Sequence, residues 1–431
     1  MDWSSLAYLI AGVFFGIFFL KYLTAPPLKS DRYLFLTTAL GIIITFSLLL
    51  SKSLSLFLWH LVVTILSSLF GYAIQTHHVL SKTEARNLPR LNPPKQTIEH
   101  TPHTAILYFT HGEPEMYNPI GWIQQFREFD HQKIPFIPKF VRPFFLYSLR
   151  RHYLQVGTSH HRQMHKLMMS QLEALYLPPK SPPVKFYLSF LDDSPHPDEM
   201  AIHAVNSGAT QIVLLEVFLT DSNHTKEGEN SLQALHLDSY HIPLYYTRPL
   251  WDSELLHHVF VEKAEAARGE TPKDQCGLLL VGHGQPDEWD QEFPTETHQE
   301  LEFRIAIKHK LVNAGYCEEN IQFAWMEFKT PRPADVIQQL AGRGLQKILY
   351  FAAAISADAI HSQYDIPKLV EQNSISDSYC ICRPHFKRSC PYGFPYSGST
   401  HVSNALFQKL QFTATPYKSE PVSFLSVHKW C

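Results

Sequence analysis

Leu279-Leu-Val-Gly-His283-Gly284-Gln285-Pro286 is an apolar run closed by a histidine, a glycine and a proline. The same arrangement stands earlier, at Leu107-Tyr-Phe-Thr-His111-Gly112-Glu113-Pro114. An apolar run without polar alternation suits a strand buried on both faces, as in a parallel sheet. A glycine straight after it suits a tight turn at the carboxyl end of that strand. Each segment is followed by a second echo: a Gly, an apolar run and Asp-x-x-His, at Gly208…Asp221-Ser-Asn-His224 and at Gly344…Asp358-Ala-Ile-His361. The Gly-to-Asp separations are 13 and 14. Two echoes in the same order point to an internal duplication of one α/β unit.

Working outward, the apolar runs that read as strands are Ala105–Thr110, Val184–Phe190, Gln211–Val217, Gly277–Gly282, Ile321–Trp325 and Lys347–Ala354. Between or beside them lie helical patterns at Arg162–Tyr176, Glu199–Ser207, Ser253–Ala267, Glu296–Asn313 and Ala334–Gly342. Strands alternating with helices predict two doubly wound α/β halves with parallel sheets. The first half runs over 104–270, the second over 271–415, with a tail at 416–431.

The amino-terminal 80 residues follow other rules. Three apolar stretches, at about 4–20, 33–50 and 54–74, each have the length that crosses a hydrocarbon core as a helix. The first is no signal peptide by its flanks, since its amino end carries Asp2 and no Lys or Arg. Lys21, Lys29 and Arg32 follow the first stretch, and Lys82, Arg86, Arg90 and Lys95 follow the third; the second connection has only Lys52. That bias predicts an integral membrane protein with its N-terminus outside and everything after the third span in the cytoplasm. His60 lies within the third span, as a hydrogen-bonded neutral ring or as a cofactor ligand. Residues 81–103, with Pro89, Pro93, Pro94 and Pro102, read as a linker.

Composition narrows the classes. The 431 residues are 45% apolar and 18% charged, which excludes a disordered chain. The net charge of −3 offers no basic surplus for nucleic acid, and no nucleic-acid motif is present. The 25 histidines are where chemistry concentrates. In an open parallel sheet, ligands bind beyond the carboxyl ends of the strands. His283 and His361 can converge there, and two imidazoles facing a crevice can hold a divalent transition metal and take up protons near neutral pH. His111 and His224 are their first-half counterparts and weaker candidates. Asp287, Glu288, Asp290 and Glu292 follow His283 as possible escorts for an ion, Glu288 among the candidates. Trp289, Phe293 and Trp325 are aromatic platforms or core.

From about Thr104 to Leu410 the chain resembles the ferrochelatase family of class II tetrapyrrole metal chelatases. The resemblance lies in AILYFTHGEP, HYLQVGTSHHRQMHKLMMSQLEAL, YLSFLDDSPHPDEMAIHAVNSGATQIVLLEVFLTDSNHT, LLLVGHGQP and ILYFAAAISADAIHSQYDI, in that order over about 300 residues. The family's active-site His carries over to His283. Its catalytic Glu falls on His361, and the His two residues before that on Ala359. Asp358, Tyr364 and Asp365 match and would orient the ring of His361. Ser159-His160 replaces the family's Ser-Pro, its preceding glycine pair is reduced to Gly157, and His111 stands where some members have an aromatic residue. A His at 361 followed by Asp365–Glu371 is more similar to sirohydrochlorin cobaltochelatases, which use two histidines at these places.

The resemblance implies a lyase-class enzyme of haem biosynthesis inserting a divalent metal, Fe2+ or alternatively Co2+, into a porphyrin. The alternatives are insertion into sirohydrochlorin and a non-catalytic haem- or metal-binding protein on the same fold. Its partners would be a tetrapyrrole and the lipid bilayer. Some ferrochelatases hold a [2Fe–2S] cluster on C-terminal cysteines. Cys380, Cys382 and Cys390 would be such ligands here, with Cys276, Cys317, Cys431 or His385 as a fourth; free thiols in a reducing compartment are the alternative.

Overall fold

A computed structural model describes residues 3–82, 86–93, 101–131, 133–134, 137–175, 183–354, 357, 359–371 and 380–382, without the side chains of 128, 371 and 380–382. The chain divides into two compact units, one made by residues 1–86 with 114–158, the other by 87–113 with 159–431.

In the first unit, helices α1 (Trp3–Thr24), α2 (Pro27–Leu49) and α3 (Leu54–Leu80) are each long and apolar enough to cross a membrane. α1 and α3 run past their apolar stretches at the carboxyl end, through Lys21–Thr24 and Gln75–Leu80, and α2 begins before its stretch, at Pro27. α1 and α3 run parallel with their backbones in contact. A Cβ on Gly16 would stand 2.0 Å from Ser68 O, and one on Gly71 2.1 Å from Val13 O, so only glycine permits this approach. His60 is buried in α3; its ring stacks on Tyr8 at 4.4 Å and its Nε2 lies 3.3 Å from Ser4 Oγ, both on α1. That is the hydrogen-bonded neighbour-helix alternative.

Helices α4 (Ile120–His131) and α5 (Arg142–Val156) complete this unit, although they lie inside the first α/β half in sequence. Ile123, Phe126 and Leu146 pack with Leu20 and Val79. Two arginines close the ends of the long helices. Arg150 Nη1 donates to Tyr22 O and Ala25 O, and Arg127 donates to Leu80 O at 3.0 and 2.9 Å. These carbonyls are the ones a helix C-terminus leaves without partners.

In the second unit, strands β1 (His103–Thr110), β2 (Val184–Phe190), β3 (Ala209–Glu216) and β4 (Leu244–Tyr246) form a parallel sheet in the order β2-β1-β3-β4. Strands β5 (Cys276–Gly282), β6 (Ile321–Trp325), β7 (Lys347–Ala352) and β8 (Cys380–Cys382) repeat it as β6-β5-β7-β8, again parallel. The fold is therefore α/β with two similar parallel-sheet halves. The central strands β1 and β5 are buried throughout, which explains their unbroken apolar runs. Along β1, Ala105, Leu107 and Phe109 face one core, with Ala201, Ala204 and Val205 of α7 (Pro197–Asn206). Ile106 and Tyr108 face the other, shared by α6 (His161–Leu175), α9 (Glu254–Arg268) and the second sheet. The two-residue period of a strand produces that division.

The sequence missed the short edge strands β4 and β8, which carry too few residues for a pattern, and the helices α8 (Asn223–Gln233) and α10 (Asp287–Glu292), which are mostly polar. Helices α11 (Pro294–Asn313), α12 (Pro333–Ala341) and α13 (Ile366–Glu371) complete this unit. Each of α7, α11 and α12 opens with Pro at its first position, where no N–H is needed.

Candidate metal centre

Both halves build the same turn. After β5 the chain runs through His283 and Gly284 (φ +82°), where a Cβ would lie 2.4 Å from Glu327 O. After β1, Gly112 (φ +90°) follows His111, and a Cβ there would lie 2.7 Å from Phe190 Cβ. The neighbouring strand end is tied to each turn identically. Met326 N donates to Gly282 O at 2.8 Å and Glu327 N to His283 O at 2.9 Å; Leu191 N donates to Thr110 O at 3.0 Å and Asp192 N to His111 O at 2.8 Å. Glu327 and Asp192 thus occupy equivalent places beside equivalent histidines.

His283 and His361 come together, with ring centroids 5.8 Å apart and the planes at 73°. His283 is held from both sides. The buried Glu300 carboxylate accepts its backbone N–H at 2.9 Å and that of Gly284 at 3.3 Å, while the ring Nδ1 lies 2.6 Å from Gly284 O. His361 opens a π-helical turn, His361–Asp365, that runs into α13. Its Nδ1 lies 2.8 Å from Asp365 Oδ2. In both rings Nδ1 faces an oxygen and Nε2 has no hydrogen-bond partner among the described residues. An imidazole with Nδ1–H tied to an oxygen presents its Nε2 lone pair as a metal ligand.

The charges around His361 favour a cation. Burial of the ring opposes protonation, but the hydrogen bond and charge of Asp365, then the charges of Glu327 and Glu113, outweigh it and raise the pKa to about 9. A divalent ion can take the place of that proton. Glu113 reaches His361 from the first half. Its half-buried carboxylate accepts the Ile360 N–H at 3.0 Å and the hydroxyl of Ser159, and desolvation pushes its pKa up. Next to it, His160 N donates to Gln363 Oε1 at 3.0 Å. Three segments therefore meet at the start of the π-turn.

Of the other residues singled out by sequence, His111 and His224 also come together, 4.7 Å between ring centroids. Burial, then the charges of His111 and His283, push the His224 pKa well below the usual range. Tyr364 is one turn from His361 in sequence, but its hydroxyl takes a hydrogen bond from Lys368 Nζ at 3.2 Å. Glu288 is exposed on α10. Trp325 lies under the Arg304 guanidinium at 3.8 Å, and Trp289 is buried with its edge to His224. Asp358, Cys390 and Cys431 lie outside the described residues, as do the side chains of Cys380 and Cys382. Cys276 is buried in β5, and Cys317 is a half-buried free thiol. Sequence reasoning missed Glu113, Asp192, Glu300 and Glu327. The signal for Asp192 and Glu327 was present: Leu-Asp192 and Met-Glu327 each follow the strand before a Ser-Pro or Thr-Pro.

No family model matches the chain, and no curated protein does. Among solved structures it is similar to SirB from Bacillus subtilis with Fe3+, at 15% identity over 72% of this chain and 95% of that one, with a TM-score of 0.45. The sirohydrochlorin chelatase SirB from Bacillus subtilis subspecies spizizenii in complex with cobalt is similar at 14% identity, over 72% and 95% of the two chains, with a TM-score of 0.40. DR2241 from Deinococcus radiodurans, a multi-domain protein with structural similarity to chelatases, is similar at 11% identity, over 73% and 55%, also with a TM-score of 0.40.

Proposed function

We propose that the chain is a membrane-anchored chelatase that inserts a divalent metal ion, its substrate, into a tetrapyrrole. The observation that carries this reading is the His283–His361 pair at 5.8 Å, each ring tied through Nδ1 to an oxygen and each with no hydrogen-bond partner at Nε2 among the described residues. Two imidazoles make a nitrogen donor set, and the charge of Glu327 adds to the negative surroundings of His361. Such a set suits Fe2+ or Co2+ and leaves positions on the ion for pyrrole nitrogens. The reaction releases two pyrrolic protons for each ion inserted. His283 and His361 would hold the ion, and either ring, once the ion has left it, can accept one of those protons. Asp365 fixes the orientation of His361 throughout.

Two histidines, rather than a histidine and a glutamate, favour a cobaltochelatase-like site and hence sirohydrochlorin beside porphyrin as macrocycle. The lysines at the C-terminal ends of α1 and α3, with Arg127 and Arg150 bonded to the same ends, support a cytoplasmic location for those ends. The test is metal insertion by the detergent-solubilised chain, followed by absorbance, with Fe2+ or Co2+ and protoporphyrin, coproporphyrin or sirohydrochlorin. Turnover lost in His283→Ala and in His361→Ala supports the reading, and the preferred pair assigns metal and macrocycle. Binding of a finished metallo-tetrapyrrole without turnover on any pair would replace it with a carrier.

A further inference from the structure

The three long helices leave a space between them. α2 and α3 each pack along α1 but touch each other little, and between the three lies a cavity of about 490 Å3. Phe15, Gly16 and Phe19 of α1 form its floor. Toward the connection between α2 and α3, Ile44 and Leu48 pack with Phe57 and Leu61 and close it. The opposite end is closed by Phe140 and Phe144, from the turn that leads into α5. The Phe144 ring stands 6.2 Å from that of Phe19 and 6.3 Å from that of Tyr72, and the Tyr72 hydroxyl donates to Phe140 O at 2.6 Å.

Depth and lining together say what this space can take. Phe19 and Tyr72 lie near the carboxyl ends of the apolar stretches 4–20 and 54–74, the level at which hydrocarbon gives way to headgroups. From Tyr72 back to Thr64 the cavity runs along α3 for about 12 Å, at about 1.5 Å per residue. One leaflet of a hydrocarbon core is about 15 Å deep. The cavity thus reaches from the headgroup edge of one leaflet toward the midplane. Its walls are almost wholly apolar, and the hydroxyls of Thr64 and Ser68 are spent on His60 O and Thr64 O, at 2.8 and 2.7 Å. Such walls give water nothing to bond and suit hydrocarbon. Cations stand at the headgroup end. Lys21 follows Phe19 by two residues, and its Nζ lies 5.7 Å from the Tyr33 ring, which sets the start of α2 beside the end of α1. Lys29 and Arg32 are exposed there.

We propose that this cavity is a lipid site, holding one acyl chain of a phospholipid along α3 from Tyr72 to Thr64 with its phosphate at the level of Lys21 and Arg32. The inference rests on the membrane anchoring of the reading above and not on its chemistry. Two features separate the site from the lipid that coats any span. The cavity is closed at both ends, and one closure comes from outside the spans: Phe140 and Phe144 lie between β1 and α6. Phe140 is 67% exposed, so the turn into α5 offers a bare aromatic ring at the depth where an acyl chain begins. The second feature is Gly41, which leaves the room. Within 4 Å a Cβ there would meet only the Phe15 ring, at 3.2 Å, and a longer side chain would enter the cavity.

The experiment counts phospholipid, by mass spectrometry and phosphate assay, on the full chain extracted from membranes and exchanged into lipid-free detergent, with no metal or tetrapyrrole present. The expected result is one phospholipid retained per chain. Gly41→Leu raises helix propensity while filling the cavity, and should lower retention by about tenfold or more. Ile65→Trp fills it from an exposed lining position on α3 and should do the same, even if Gly41→Leu fails to fold. Ile42→Phe adds bulk to an exposed position outside the cavity and should change nothing. No phospholipid on the parent chain, or full retention in the filled variants, overturns the site. Detergent or free fatty acid in its place overturns it as well. Each of these results leaves the chelatase reading standing, because that reading is judged by metal insertion. A chain that leaves the membrane fraction without detergent overturns the anchor, and the lipid site with it.

Discussion

Removing the carboxylate of Glu113 should loosen the π-turn that carries His361. Its oxygens accept two donors that have no water to turn to: the Ile360 N–H, at a residue 1% exposed, and the hydroxyl of Ser159, 0% exposed. Glu113→Ala leaves both unsatisfied, at about 1–3 kcal/mol each. It also removes a carboxylate whose burial raises its pKa, which returns part of that cost. The balance is a loss of about 2–4 kcal/mol. Glu113→Gln keeps a carbonyl acceptor at the same place and should cost about 1 kcal/mol or less. Because the chain has two compact units, one melting temperature is not enough. Hydrogen exchange of the peptide spanning Ile360–Asp365 reads the effect where it arises. Protection there should fall by about 30-fold or more in Glu113→Ala, the equivalent of 2 kcal/mol, and stay near that of the parent chain in Glu113→Gln. Equal protection in all three chains would refute the coupling of Glu113 to the π-turn. Equal loss in both variants would show that charge, not acceptor capacity, is what the turn needs.

Asp365→Asn keeps the side chain's shape but removes the charge behind His361 Nδ1, so Co2+ affinity of the His283–His361 pair should fall about 10–100-fold in a calorimetric titration of the detergent-solubilised chain. Glu296 has its pKa raised to about 8 by burial, then by the charges of Glu300 and Asp290. The folded chain therefore keeps a proton there that the unfolded chain gives up near pH 4.5, and stability drains away as pH rises from about 4.5 to about 8. Glu296→Gln should flatten that decline in thermal melts between pH 5 and 9, and an unchanged slope would sink the assignment. Gly71→Val places a side chain against the Val13 carbonyl and should cost about 1–3 kcal/mol or more in unfolding of the helical unit, whereas a surface change such as Leu69→Ala should not.

The sequence is readable where one physical rule dominates. β2 and β6 have the limits that the apolar runs set, and the turn histidines sit where Gly112 and Gly284 require, because buried strands and positive φ leave few residue types free. It is unreadable where partners come from elsewhere in the chain. Nothing local marks α4 and α5, between β1 and α6, as belonging with α1–α3; the reason is three-dimensional, since Arg127 and Arg150 find the open carbonyls of helices 45–130 residues away. Glu113 is the sharper case. In sequence it is one letter of His-Gly-Glu-Pro, matched by Gln285 in the repeat. In the fold, Gln285 turns to Asp290 and Phe293 of its own half, while Glu113 crosses to the other half and takes the N–H beside His361. A single carboxylate-to-amide difference thus breaks the symmetry of a duplicated scaffold. It places a carboxylate whose charge acts on His361 and on His111 alike. The duplication explains why two histidine pairs exist, and the crossing carboxylate ties the N–H beside His361 to the other half.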